Sequence, residues 1–126
     1  MTKKILIIED EEIMQELLEK KLTKEGYKVL IAKDGKEGLR TMKELSPDLI
    51  LLDIIMPNLG GFEVMEEMQK DKELSSIPVI IISNSGQPVE IDKAEKLGVK
   101  DWLIKTEFDP KEVIEKIKKQ IPKKEN

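Results

Sequence analysis

Leu49-Ile50-Leu51-Leu52 is an uninterrupted apolar run that ends in Asp53 and opens into Ile54-Ile55-Met56-Pro57 and a loop carrying Gly60 and Gly61. A short run with no polar alternation fits a strand buried on both faces. The same kind of run recurs on either side. Ile5-Leu6-Ile7-Ile8 ends in Glu9-Asp10, and Val79-Ile80-Ile81-Ile82, opened by Pro78, ends at Ser83. Tyr27 to Ala32 alternates like a strand, and Asp101 to Ile104 supplies a fifth, ending at Lys105.

The stretches between these runs carry helical spacing. Ile13, Leu17, Leu18 and Leu22 predict a first helix that stops near Gly26, and Gly35 to Leu45 a second with Leu39 and Met42 inward. Val64, Met65 and Met68 mark a third, and Val89 to Leu97 a short fourth. Pro110 suits the first turn of a last helix holding Val113, Ile114 and Ile117. Buried strands alternating with amphipathic helices predict an α/β fold: a single doubly wound five-stranded parallel sheet, covered on both faces, with right-handed crossovers. The expected folding unit is one domain, residues 1–126, with its core over about residues 3–121 and a polar, frayed tail from Pro122 to Asn126.

Composition narrows the function. A chain of 126 residues fits one domain and leaves no room for a sensor plus an effector. The absence of Cys excludes disulfides, thiolate metal sites and a Cys nucleophile; the absence of His excludes a Ser-His-Asp triad and a phosphohistidine on this chain. Aromatic residues are 3%, too few for a platform that stacks bases. Lys+Arg number 22 against 26 Asp+Glu, and Arg40 is the sole Arg, a balance that argues against nucleic-acid binding. The longest apolar run is far below a membrane span, and Met1-Thr2-Lys3-Lys4 leads into only four apolar residues, which is no signal peptide. The expected location is the cytoplasm, away from membrane and nucleic acid.

In open α/β sheets, sites form at the carboxyl ends of the strands. There the sequence brings Glu9 and Asp10, Asp53, Ser83 and Lys105 to one edge. A nucleotide or flavin site would need a Gly-rich first loop that accepts anions. This loop instead reads Glu9-Asp10-Glu11-Glu12, and neither GxGxxG nor GxxxxGK[ST] occurs. Clustered hard oxygen ligands suit Mg2+. Glu11 and Glu12 read as an acidic first helical turn complementing the dipole, whereas Glu9 and Asp10 precede the helix and are the metal candidates. A carboxylate such as Asp53 beside a divalent metal can act as nucleophile toward phosphorus, because the metal screens its approach to an anion. Lys105 would supply a second positive charge for phosphoryl oxygens, and Ser83 a hydrogen bond. An Asp-nucleophile phosphatase would use the same groups, but Ile54 and Ile55 offer it no general acid.

These pieces, ILIIEDEE over residues 5–12, LLDIIMP over 51–57, Gly60-Gly61-Phe62, PVIIIS over 78–83 and GVKDWLIK over 98–105, resemble the receiver domain of two-component response regulators, of the stand-alone chemotaxis type. The resemblance covers about Lys3 to Ile121. It implies a flavodoxin-like (βα)5 sheet of strand order 2-1-3-4-5. It implies that Asp53 is the phosphoacceptor, that Asp10 binds Mg2+ directly and Glu9 through water, and that Ile55 lends a backbone carbonyl to the metal. Ser83 matches the switch hydroxyl, Lys105 the phosphate-binding lysine and Trp102 the switch aromatic.

Three departures stand out. Thr106 follows Lys105 where the family has a cis Pro; a cis bond before a non-Pro residue costs ~2.5–4 kcal/mol, so a trans peptide is expected. Asn84 follows Ser83 where the family has a small residue, which would narrow access to Asp53. Trp102 is bulkier than the usual Tyr or Phe, and its ring is expected to be partly exposed at rest.

The implied function is a phosphorylation-dependent switch. A histidine kinase or phosphotransfer protein, or a small phosphodonor, would modify Asp53 with Mg2+. The fourth helix, fifth strand and fifth helix would then act on a partner protein. The same face could carry a phosphorylation-favoured homodimer, with Lys93 or Lys96, Asp101, and Glu112 or Lys116 pairing across it; solvated surface charges are the plainer alternative. A receiver-fold scaffold that makes no use of phosphate is the alternative function.

Overall fold

The computed structural model describes residues 2–107 and 109–121, so the tail at 122–126 lies outside the described residues. Its elements are β1 (Lys4–Ile8), α1 (Glu12–Lys24), β2 (Lys28–Ala32), α2 (Gly35–Leu45), β3 (Leu49–Asp53), α3 (Gly61–Gln69), β4 (Val79–Ser83), α4 (Pro88–Lys96), β5 (Asp101–Ile104) and α5 (Pro110–Gln120). One 3-10 turn at Leu74–Ser76, with no apolar periodicity to announce it, leads into β4. The strands form a single parallel sheet in the order β2-β1-β3-β4-β5. Among the described residues no helix is long and apolar enough to cross a membrane.

The period-2 geometry of a strand explains why these runs must be apolar throughout. Ile5, Ile7, Leu49, Leu51, Ile80, Ile82 and Leu103 point to one face, where Leu18 and Leu22 of α1 and Val113, Ile114 and Ile117 of α5 cover them. Leu6, Ile8, Ile50, Leu52, Val79 and Ile81 point to the other, against Met42 of α2, Val64, Met65 and Met68 of α3, and Ala94 of α4. With both faces covered, polar residues are confined to the strand ends, such as Lys4, Lys28 and Asp101 at the starts and Asp53 and Ser83 at the finishes. That is why Asp53 and Ser83 stand at the carboxyl edge.

Helix α1 buries a different stripe from the one its sequence suggests. Ile13 is 83% exposed and Leu17 42%, while Leu18 and Leu22 are buried and Met14 packs beside them. The inward stripe is thus Met14, Leu18, Leu22, an i, i+4, i+8 row; Ile13 and Leu17 each sit one residue, roughly 100° of helix, ahead of it. Helix α4 starts one residue earlier than its apolar pattern, because Pro88 fits the first turn, where no N–H is needed. Tyr27 is buried but lies just before β2.

Asp34 caps α2: its Oδ1 accepts from the Glu37 N–H at 2.8 Å, while Glu37 Oε1 accepts from the Lys33 N–H at 2.7 Å. This is close to a reciprocal capping box, and the Asp34-x-x-Glu37 spacing is its signature. The Glu37 N–H first, and the Asn58 side chain second, hold the Asp34 carboxyl below its ordinary range. A depressed folded-state pKa stabilises the fold above the unfolded value of 3.8 and loses that contribution as pH falls through the folded value. Asp34→Ala is expected to lower urea stability by about 0.5–2 kcal/mol at neutral pH. The deficit should shrink below the ordinary carboxylate range, where the native Asp34 is itself protonated; an equal deficit at pH 7 and at strongly acid pH would show that its charge is irrelevant.

Candidate functional site

The strand register sets the site. Ile8 pairs with Leu52, Asp53 with Ile82, and Ser83 with Ile104, so the next residues along β1 and β5, Glu9 and Lys105, flank Asp53 and Ser83. Glu9 is held by its N–H to the Ala32 carbonyl at 3.0 Å, and Lys105 by its N–H to the Ser83 carbonyl at 2.7 Å. Glu9, Asp53 and Ser83 are buried, whereas Asp10 is exposed. The N-terminus of α3 packs against the backbone of Asp53 and Ile54. A Cβ on Gly61 would stand 2.5 Å from the Asp53 carbonyl oxygen and 2.9 Å from Ile54 Cα, so only glycine lets the helix approach this closely.

One ammonium gathers the carboxylates. Lys105 Nζ donates to Glu11 Oε1 at 2.8 Å, to Glu9 Oε2 at 3.0 Å and to Asp53 Oδ2 at 3.3 Å. It also lies 3.0 Å from Glu9 Oε1, but at an angle that makes no hydrogen bond, and that buried oxygen has no hydrogen-bond partner. Burial pushes the Glu9 carboxyl up to about 7, with the Asp53 charge adding to it against the Glu11 N–H and Lys105. Burial likewise raises Asp53, with Lys105 opposing. For Lys105, burial alone would lower the pKa; hydrogen bonds to Glu11 and Glu9, and the Asp53 charge, outweigh it and hold the ammonium above its usual range.

Ligand oxygens of Glu9, Asp10 and Asp53 lie within 4.8 Å of one another. A cluster of hard oxygens, one of them buried without a hydrogen bond, with more negative charge than Lys105 neutralises, fits a hard divalent cation such as Mg2+. The residues present therefore fit the metal that the sequence resemblance implies.

Ser83 does not contact Asp53 through a hydrogen bond; its Oγ accepts from the Ser85 N–H at 3.3 Å. Ser85 is a junction that the sequence did not announce. Its carbonyl accepts from Trp102 Nε1 at 2.9 Å and its Oγ donates to Glu90 Oε1 at 3.1 Å, linking β5 and α4 to the Ser83 loop. Trp102 is half-buried, as its bulk led one to expect. Asn84 is exposed, and so is the Ile55 side chain, at 73%.

One expectation needs correction. Glu11 is not merely a charge complementing the α1 dipole: it stands at the N-cap without a side-chain cap bond and reaches Lys105 instead. Asp101 and Lys116, considered for pairing across a dimer, pair within the chain, with Nζ 3.0 and 3.1 Å from the two carboxylate oxygens. The Lys105–Thr106 peptide is trans, since no cis bond occurs among the described residues.

Residues 5–118 match the response regulator receiver domain, and the chain belongs to that family. It is 36% identical over 120 residues to the chemotaxis protein CheY of Thermotoga maritima, covering 94% of this chain and 98% of that one. It is also 36% identical over 124 residues to the probable transcriptional regulator ycf27 of Cyanophora paradoxa, covering 98% of this chain but 50% of the relative. The chain thus spans about half the length of several relatives it matches and nearly all of others. Its fold superposes on CheY4 of Vibrio cholerae with a TM-score of 0.90 at 23% identity, covering 96% of this chain and 100% of the other. It superposes on the receiver domain of the sensor histidine kinase PA1611 of Pseudomonas aeruginosa with a TM-score of 0.87 at 25% identity, over 96% and 98% of the two chains. That structure holds a magnesium ion in its active-site cleft.

The Gly61 contact is directly testable. Gly61→Ala is expected to cost about 1–3 kcal/mol in urea unfolding, because the added methyl meets backbone on two sides. Gly60→Ala should cost less, since its nearest neighbour, 2.7 Å away, is the mobile end of Glu63. Equal costs would mean that the packing of α3 on Asp53 is loose.

Proposed function

We propose that this protein is a cytoplasmic phosphoacceptor switch of a two-component system, with Asp53 as the residue modified. The observation that carries the reading is the approach of Lys105 Nζ to Asp53 Oδ2, 3.3 Å, beside a triad of carboxylates able to share a cation. A receiver domain spanning about residues 3–121 would be its working unit.

Asp10 and Asp53, with the Ile55 carbonyl, would hold Mg2+ directly, and Glu9 through water. Bound there, Mg2+ would supply positive charge to screen the carboxylate from an incoming phosphoryl group. An Asp53 carboxylate oxygen attacks phosphorus in line. The bond from phosphorus to the donor's histidine nitrogen breaks, its electron pair stays on that nitrogen, and solvent supplies the proton. With a small acyl phosphate, the bond to the acyl oxygen breaks instead. Lys105, already beside Asp53, neutralises charge on the transferred group. Ser83 turns from the Ser85 N–H to donate to a phosphoryl oxygen. The phosphorylated residue carries about −1.5 to −2 charge, a large local change for the loops around it.

On this reading the chain is a signalling phosphoacceptor that catalyses only its own phosphorylation and dephosphorylation. Its partners on this reading are a histidine kinase or phosphotransfer protein upstream and a protein target at the face made by α4, β5 and α5. A phosphorylation-favoured homodimer through that face would have to exchange or share the Asp101–Lys116 pair made within the chain.

The test is incubation with acetyl phosphate and Mg2+ followed by intact-protein mass spectrometry. The native chain is expected to gain one phosphoryl group, and Asp53→Asn none, with circular dichroism unchanged. Uptake by the Asn variant at the native rate would remove Asp53 from the role.

Trp102 offers an optical readout of switching. Its Nε1–H is fixed to the Ser85 carbonyl, and Ser85 is fixed to Ser83, so a turn of Ser83 toward phosphate pulls on the indole's anchor. Mg2+ with beryllofluoride is expected to change Trp102 fluorescence in the native protein and to change it much less in Ser83→Ala. A flat signal at demonstrated Asp53 occupancy would mean that Trp102 is structural alone.

A further inference from the structure

We propose that Asp34 and Asn58 form a clamp that sets the position of the loop between Asp53 and Gly61, and through it the Ile55 carbonyl, for the divalent cation. The proposal rests on the metal reading above. Neither residue is a ligand; both would be positioning residues.

Residues 54–60 are anchored to the core by Ile54, Met56 and Leu59, while Ile55 and the tip at Pro57 and Asn58 have no such burial to fix them. Ile54 is 7% exposed, but Ile55, Pro57 and Asn58 face solvent, and Met56, Leu59 and Gly60 are half-buried. The neck of the loop is closed by the Gly61 N–H to the Ile54 carbonyl at 2.8 Å, and a tight turn joins the Leu59 N–H to the Pro57 carbonyl at 2.8 Å. The middle residue of that turn is Asn58, at φ 68°, a positive value that Asn tolerates better than most residues. Its Nδ2 donates to Asp34 Oδ2 at 2.9 Å. Asp34 is buried at the start of α2 and is immobilised by its other oxygen, which caps Glu37. Gly35 adds a backbone stop: a Cβ there would collide with the Leu59 carbonyl and its Cβ, so the first turn of α2 abuts the loop directly.

The geometry matters because of what a carbonyl ligand is. A carboxylate can adjust by side-chain rotation, but a backbone carbonyl goes where its loop goes. Mg2+ demands near-ideal octahedral geometry and tolerates misplacement poorly. The restraint on Ile55 must therefore come from the loop's attachments, and the Asp34–Asn58 bond ties its exposed tip to a rigid helix start. The two oxygens of Asp34 divide the work, one for α2 and one for the loop, and this division makes the proposal separable from plain stability.

The experiment is calorimetric titration of the intact protein with MgCl2, without a phosphodonor, beside urea unfolding of each variant. Asp34→Ser keeps an oxygen for the Glu37 N–H and loses the Asn58 acceptor; Asn58→Gly keeps the positive φ and loses the donor. Each is expected to weaken Mg2+ binding about three- to tenfold, the range set by one net hydrogen bond, and the double variant no further than the single ones. Native Mg2+ affinity in both variants overturns the clamp, even where urea stability falls, because that is the pattern of a purely structural bond. Weakening in Asp34→Ser alone also overturns it, since the loop would then be indifferent to Asn58. Asp10→Ala separates the two levels. If the native chain binds no Mg2+, or binds it as well without Asp10, the metal reading falls and takes the clamp with it. If Asp10→Ala abolishes binding while the clamp variants bind normally, the clamp alone falls.

Discussion

The Lys105 ammonium is the charge on which the carboxyl edge of the sheet depends. Asp53 and Glu9 are 5% and 1% exposed, and nothing in the apolar layers beneath them can compensate a buried negative charge. Lys105 meets both, with its own side chain 5% exposed, and its position is fixed by the β5 backbone bond to Ser83. Even so, Lys105 meets three carboxylates, Glu9, Glu11 and Asp53, and Asp10 stands beside two of them. The Glu9 carboxyl is pushed up to about 7, first by burial and then by the Asp53 charge beside it. An acidic cluster in this condition suits a second cation for the same reason that it holds the first, which is the basis of the metal reading proposed above.

The helices are unequally anchored, and the weakly anchored α4 follows the Ser83 loop. Helix α5 buries Val113, Ile114 and Ile117, whereas α4 buries Ala94 alone. Helix α4 is held largely by reaching side chains. Lys93 lies 4.5 Å from the Phe62 ring centroid, Gln69 donates to the Leu97 carbonyl at 2.7 Å, and Ser85 bonds Glu90. Elements with few buried apolar contacts open at low free energy. A change at Ser83 thus meets a junction at Ser85 that connects to the least anchored helix on one side and to Trp102 on the other. Rearrangement there disturbs little of the core, since the central strands are buried on both faces.

The fold was legible because doubly covered strands confine polar residues to their ends, so their lengths and ends stand out as apolar runs; β5, from Asp101 to Ile104, was read to the residue. The strand ends then located Glu9, Asp53, Ser83 and Lys105 together. What failed were matters of rotation and reach. Ile13 and Leu17 share the helical period of Leu18 and Leu22, and only packing against α5 and the sheet decides which stripe turns inward. Glu11 looks like any acidic first-turn residue, and its bond to Lys105 spans 94 positions of sequence. The cap that Asp34 makes on α2 went unread, and its second oxygen serves Asn58, a partner that no local spacing reveals.

The contacts of Lys105 also differ in how readily they can be given up. Glu11 is 57% exposed in its side chain, and an ion pair with so open a partner is worth only about 0–1 kcal/mol. Glu9 is 2% exposed, and leaving it unpaired would strand a buried charge at several times that cost. If a new anion forms on Asp53, as proposed, the ammonium has one inexpensive bond to surrender, to Glu11, and one expensive bond to keep, to Glu9. Lys105 then needs little displacement to serve the transferred group, because Asp53 Oδ2 is already 3.3 Å from it. Glu11 takes its place as the contact that holds the lysine at rest and yields it first, and its solvent exposure is what makes that exchange cheap.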